Sequence, residues 1–232
     1  MFSFGWHLIE KNLIPLLIIS TIIAIPSNII KSLIPTGGTA SDVMASTWIH
    51  QLSLVILTII GYMAGLYIIR GSLGGETVSI REAFLRTLEK WWVFIATSIL
   101  STLATLGGLI LFIIPGIIIS VYFMFAGYAV IFEEKKYLEA LYYSKSLIKG
   151  RWWQTLWKSI GFGIVSFFLL ILPVLLITYS LGDLVGAGET PVGSLIRDTL
   201  LDIALMPSMY VGVGLFLGFQ KHPHITEKEN TI

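Results

Sequence analysis

Blocks of apolar residues, each closed by a short cluster of charges, recur along the chain. The first block, residues 12–34, reads NLIPLLIISTIIAIPSNIIKSLI and predicts a membrane-spanning helix. Pro15 fits its opening turn, and Pro26 predicts a kink of the kind membrane helices tolerate. Lys11 precedes the block, but the apolar run outlasts a signal-peptide core and no small-residue cleavage site closes it. It therefore reads as a retained first helix. Residues 35–48, PTGGTASDVMASTW, are rich in turn-forming and small polar residues and predict a loop. A second spanning helix is expected at 51–69, closed by Arg70.

The longest pattern lies in the middle. No charged residue occurs from Trp91 to Phe132. As one straight helix that run would be roughly 60 Å long, about twice the hydrocarbon thickness of a bilayer. Two crossings, at 91–111 and 116–133, account for it, with the chain reversing across Phe112 to Gly116. Pro115 cannot donate a backbone hydrogen bond, and Gly116 accepts conformations that other residues avoid. The alternative is a reversal at Gly107-Gly108 with a proline kink in the second arm. Residues 153–179 and 200–219 predict the fifth and sixth spans, and 222–232 form a polar tail. The fold class expected is an all-α, six-span membrane bundle, a single domain over 1–221.

The positions of the basic residues orient this bundle. With six spans, those from Arg70 to Lys90, those from Lys135 to Lys158, and Lys11, Lys221 and Lys228 share one side. Only Lys31 and Arg197 lie toward the other. The crowded side is assigned to the cytoplasm, with both termini there, in the cell membrane.

Two cytoplasmic segments predict interfacial amphipathic helices, at 79–90 and 137–149. In the first, Ser79 and Glu82 fit a capping box, and Ile80, Phe84, Leu88 and Trp91 recur at helical spacing. Glu82 and Arg86 are placed for an i,i+4 pair. The second opens on Glu139-Ala140 as the first does on Glu82-Ala83, and it reaches Trp152-Trp153 as the first reaches Trp91-Trp92. Its spacing is longer by about one helical turn. These correspondences are compatible with a parallel internal repeat or with two similar interfacial helices.

Composition agrees with the pattern: 55% of the residues are hydrophobic and 12% charged, about half the charge of a typical soluble domain. The net charge is +1, and no basic stretch interleaved with aromatics points to nucleic acid. There is no cysteine, so disulfide and thiol chemistry are excluded. His222 and His224 form a lone pair in the tail, which is no basis for a metal site. No nucleotide-binding loop or zinc-protease motif is present, and no serine has a recognisable base. No catalytic residue and no cofactor are assigned.

The remaining polar candidates sit at span ends. Glu133 closes the fourth span, as a solvated stop or as part of a collar, and Glu139 could pair with a basic residue of the first elbow. Arg197, Asp198 and Asp202 open the sixth span, as solvated capping charges or as an outer entrance for an ion or solute. Gly107, Gly108, Gly161, Gly163, Gly212, Gly214 and Gly218 are expected at close helix contacts. Gly214 and Gly218 also form a G-x-x-x-G face through which a homo-oligomer could assemble.

LILFIIPGIIISVYFMFAGYAVIFEE at 109–134, followed by LEALYYSKSLIKGRWWQTL at 138–156, resembles a bacterial and archaeal family of uncharacterised six-span membrane proteins. That family is related to the membrane domain attached to some glycerophosphodiester phosphodiesterases. The resemblance rests on Ile114, Pro115, Gly116, Glu133, Glu139, Ala140, Ser144, Lys149, Gly150, Trp152 and Trp153. It implies the six-span fold. It implies no phosphodiesterase activity, because in those proteins the chemistry belongs to a separate soluble barrel, and these 232 residues hold no segment of that size. The function expected is a membrane scaffold or accessory component of the cell envelope, in contact with membrane lipids and with a protein partner at the elbows. The alternative is a transporter for a lipid-related or small amphipathic solute.

Overall fold

The computed structural model describes residues 7, 10–33, 39–168, 172–173, 175–176, 180, 199–203 and 210–220. Its regular elements are helices: α1 (Leu13–Leu33), α2 (Ala40–Gly74), α3 (Ile80–Leu111), α4 (Ile113–Phe123), α5 (Ala126–Phe132), α6 (Tyr137–Ile148), α7 (Trp152–Ser166) and α8 (Val211–Gln220). Among the described residues, four stretches are long and apolar enough to cross a membrane: Leu13–Ile30, Ser41–Gly74, Ile80–Leu111 and Ile113–Phe132. The protein is a multi-pass helical membrane protein. Most of the fifth predicted span beyond α7, part of the sixth, and the tail lie outside the described residues.

The chain divides into two compact units. In the unit formed within 7–88 and 164–211, α1 packs along α2. The buried face of α1 carries Leu16, Ile19, Ser20, Ile23, Ala24, Ser27 and Asn28, recurring at helical spacing. Ile14, Ile18, Ile22, Ile25 and Ile29 of the same helix are exposed, as lipid-facing residues are. Pro26 lies within α1, and its ring is on the exposed side. Gly61 of α2 receives Ile23, whose Cγ1 would be 2.7 Å from a Cβ at that position.

α2 departs from expectation. It has 35 residues and begins at Ala40, within the segment 35–48 that predicts a loop. The cause is a capping box: Thr39 Oγ1 accepts from the Asp42 N–H, and the Thr39 N–H donates to Asp42 Oδ2 at 2.9 Å. At the other end Gly75, with φ 77°, stops the helix in the left-handed conformation, beyond Arg70. The helix is about 52 Å long and so overshoots a hydrocarbon core of about 30 Å.

In the second unit, formed within 89–163 and 212–220, the uncharged run folds back on itself. α3 ends at Leu111, Phe112 is extended (φ −165°, ψ 155°), and α4 begins at Ile113. Pro115 therefore lies inside the first turn of α4, where its missing N–H costs no helical bond. The reversal pivots on Phe112 alone, three residues ahead of Pro115, and not on Gly107-Gly108. Gly108 serves the hairpin differently: a Cβ there would lie 3.0 Å from Gly116 Cα, so the two glycines let the arms touch just below the turn. Farther down, Phe94 lies against Gly127, and the Tyr137 N–H donates to Thr97 Oγ1 at 3.1 Å.

The first elbow is not a separate helix; it is the opening of α3. Ser79 Oγ accepts from the Glu82 N–H at 3.2 Å, and Arg86 donates to Glu82 at 2.7 Å. The protein-facing side of this segment is carried by small residues and not by the bulky apolar ones. Ala83 and Thr87 are fully buried, whereas Leu85, Leu88 and Trp92 are exposed. Small residues let the backbone approach its neighbours, and the bulky apolar side chains are left for lipid.

Candidate functional site

The predicted fourth span is broken. The helical ladder is interrupted between α4 and α5: Met124 keeps helical dihedrals (φ −59°, ψ −25°), and Phe125 departs from them at φ −96°, ψ 3°. The backbone groups freed there are bound by a side chain from another element. Ser144 of α6 donates to the Tyr122 carbonyl at 2.7 Å and accepts from the Phe125 N–H at 3.1 Å. Ser144 is completely buried, and so is Ala140 one turn earlier, which lets α6 approach the break closely. Ser159 of α7 adds a contact to Met124 Sδ at 3.6 Å. No glycine or proline stands at 124–125. The break turns the Phe125 ring into a cluster with Tyr128, Phe216 and Phe219, at centroid distances of 6.1, 5.8 and 5.7 Å.

A second joint lies between α6 and α7. Gly150 adopts φ 79°, and no atom lies within 4 Å of where its Cβ would be. Glycine is needed here for backbone conformation, not for space. The turn sends Arg151 inward. Its guanidinium donates to Leu147 O at 3.0 Å and to Phe219 O at 3.4 Å, and it lies 5.1 Å from the centre of the Phe219 ring. A cation is thereby fixed against the last carbonyls of α8, where the helix dipole favours it. Burial lowers the guanidinium pKa from its ordinary value. Lys158 lies over the same ring at 5.0 Å. The resemblance rests on Lys149 and Gly150 at this joint, whereas the buried contact is made by Arg151.

Glu133 is more than a solvated stop. Its carboxylate accepts from Gln220 Nε2, joining the end of α5 to the end of α8. The same amide lies 3.4 Å from the Tyr143 hydroxyl. Tyr143 has its pKa raised, first by burial and then by the Glu133 charge, with the Gln220 hydrogen bond opposing. Glu139 is exposed on α6. The tryptophan pair divides its roles: Trp152 Nε1 donates to Ile118 O at 3.2 Å, while Trp153 is 66% exposed. Among the motif residues, then, Glu133, Ala140, Ser144, Gly150 and Trp152 hold helix ends and breaks together, while Glu139, Lys149 and Trp153 face outward.

The two elbows share more than their Glu-Ala and Trp-Trp pairs. Thr87 follows Ala83 by four residues as Ser144 follows Ala140, and all four are completely buried. The extra turn in the second elbow falls where α6 ends and Gly150 bends the chain. In the first, α3 runs through without interruption.

In the other unit, Asp202 is half-buried and accepts from Asn28 Nδ2 at 2.8 Å, while the same amide donates to Ala24 O at 3.0 Å. Arg197 and Asp198 lie outside the described residues. Beside Asn28, Ser27 Oγ is buried with no hydrogen-bond partner. Asn12, at the start of α1, accepts from Ser72 at 2.5 Å. Tyr210 donates to Gly61 O at 3.0 Å, and its ring occupies the space over Gly65 where a side chain would stand. The G-x-x-x-G pair at Gly61 and Gly65 thus forms a close contact within the chain, at glycines outside the set expected from the sequence. Among the expected close-packing glycines, Gly108 and Gly212 do meet neighbours, whereas Gly107, Gly161 and Gly163 face open space.

Comparison of the chain with protein-family models, with curated proteins and with solved structures gave no match.

Proposed function

We propose that the protein is a membrane scaffold or accessory component of the cell envelope, built as six spans with both termini and both elbows in the cytoplasm, and related to the six-span family that its Ile-Pro-Gly and Glu-Ala…Ser…Trp-Trp segments resemble. One observation carries this reading. With Ser27 Oγ and the buried Nδ1 of His50 as exceptions, the buried polar side chains among the described residues are committed to a neighbouring backbone group or side chain: Asn12, Ser20, Asn28, Thr87, Thr97, Ser144, Arg151 and Thr155. Asn12, Asn28, Thr97, Ser144 and Arg151 bind groups of another segment and so hold helices in register, while Ser20, Thr87 and Thr155 return to the carbonyl four residues back.

The test joins topology to partnership. The chain has no cysteine, so Leu88→Cys and Lys145→Cys can each be labelled singly from either side of sealed vesicles. Both should react from the cytoplasmic side only, and opposite faces would end the six-span reading. Cross-linking in native membranes should then capture one protein at constant stoichiometry. Solute uptake by proteoliposomes of the chain alone would overturn the scaffold assignment.

The Asn28–Asp202 pair favours a second reading, transport. A half-buried carboxylate on an amide, next to an unsatisfied serine, is the arrangement expected where an ion or polar solute enters a bundle. Under this reading Asp202→Asn abolishes uptake while membrane insertion is preserved.

A further inference from the structure

The second elbow carries charge that its neighbours leave unneutralised. Between residues 133 and 166 the chain holds Lys135, Lys136, Lys145, Lys149, Arg151 and Lys158 against Glu133, Glu134 and Glu139, and Glu139 is the one acid beyond Lys136. Arg151 is turned inward, but Lys145 and Lys149 are exposed, and among the described residues neither forms an ion pair. They lie on one outward stripe of α6 and its capping residue, in which Leu138, Tyr142, Lys145 and Lys149 follow one another at steps of four, three and four. Leu138 is 55% and Tyr142 67% exposed. Immediately past the joint, Trp153 and Trp157 are exposed on α7. Aromatic and aliphatic groups thus border the two lysines on both sides along the chain.

The first elbow is the internal comparison. It repeats the Glu-Ala and Trp-Trp pairs, yet Glu82 and Glu89 offset all but one of the charges of Arg81, Arg86 and Lys90, and Arg86 is already bonded to Glu82 at 2.7 Å. Two segments of similar plan therefore differ in net charge: the first holds one excess cation, the second several, two of them exposed lysines on one stripe.

We propose that this α6–α7 face binds the headgroups of anionic phospholipids, with Lys145 and Lys149 holding the phosphate and Tyr142, Trp153 and Trp157 seated at the headgroup–acyl boundary. The inference rests on the reading above that this elbow lies at the cytoplasmic interface. An acidic protein would satisfy the lysines but would leave the flanking tryptophans and Leu138 needing an apolar complement. A lipid supplies both chemistries in one molecule. Each lysine close to an anionic surface contributes about fivefold in affinity, and salt screens the effect.

Native mass spectrometry of the full chain, released from micelles holding equal amounts of phosphatidylglycerol and phosphatidylcholine, reads this directly. Phosphatidylglycerol should be retained in preference. Lys145→Gln with Lys149→Gln should reduce the preference by about fivefold per residue, the Arg pair should restore it, and Arg81→Gln with Arg86→Gln should leave it intact. Equal retention of the two lipids by the unaltered chain would overturn the proposal. So would a preference that survives the double lysine variant or falls equally in the first-elbow variant, and so would a co-purifying acidic protein that occupies the lysines in place of lipid. Labelling of Lys145→Cys separates the two levels: reaction from the outer face refutes the topology, whereas cytoplasmic reaction without lipid preference refutes this inference alone.

Discussion

Replacing Ser144 by alanine removes one oxygen atom from a fully buried position and thereby releases two backbone groups at once. The hydroxyl supplies the Tyr122 carbonyl with a donor at 2.7 Å and the Phe125 N–H with an acceptor at 3.1 Å. A net hydrogen bond is worth about 1 kcal/mol, and a buried N–H left without a partner costs about 1–3 kcal/mol. The two together place the loss at about 2–3 kcal/mol. Alanine fits the space, so no overpacking obscures the result. Denaturant titration in mild detergent should show this drop, and amide exchange at Phe125 should quicken roughly thirtyfold or more, since about 1.4 kcal/mol corresponds to tenfold. Ser146, two residues on, is exposed and bonds only to the Tyr143 carbonyl at 2.7 Å, so Ser146→Ala should change stability by less than about 0.5 kcal/mol. Equal and small effects of the two substitutions would refute the view that Ser144 closes the break.

Further outcomes follow from the same geometry. Gly150→Ala should cost about 1–2 kcal/mol, read as a lower unfolding midpoint, because φ 79° is unfavourable to a Cβ even though the space around it is open; Gly150→Asn should recover part of the loss. Gly65→Ala would set its Cβ on the Tyr210 ring and should destabilise by about 1–3 kcal/mol, a loss that Tyr210→Phe does not relieve because ring carbons obstruct it too. The raised pKa of Tyr143 means that the folded state holds this proton more tightly than the unfolded chain does. Its effect on stability is therefore nil below the ordinary tyrosine range of about 10 and becomes a loss as the pH rises through the higher folded value. Unfolding midpoints measured across that window should fall for the unaltered chain and fall less for Tyr143→Phe.

The sequence by itself determined the solvent and the class of fold. Apolar blocks too long for a soluble core, and an uncharged run from Trp91 to Phe132 twice the bilayer's depth, required helices that cross and return. The end of α3 at Leu111 and the limits of α6 were legible for the same reason: helical periodicity and the interruption of charge are local properties. The early start of α2 was legible in principle, since Thr39 and Asp42 form a recognisable capping box, but the small polar residues around it read as a loop.

Only the tertiary structure decided where the fourth span breaks and what the motif residues do. Met124 and Phe125 carry no local signal, because the break is sustained by a hydroxyl nineteen residues away and by aromatic rings from α8. Arg151 likewise looked like one more interfacial cation until the Gly150 turn directed it onto the Phe219 carbonyl. Hydropathy records which faces avoid water. It is silent on which polar atom meets which freed backbone group, because that pairing depends on helices far apart in the chain being packed within about 3 Å of one another.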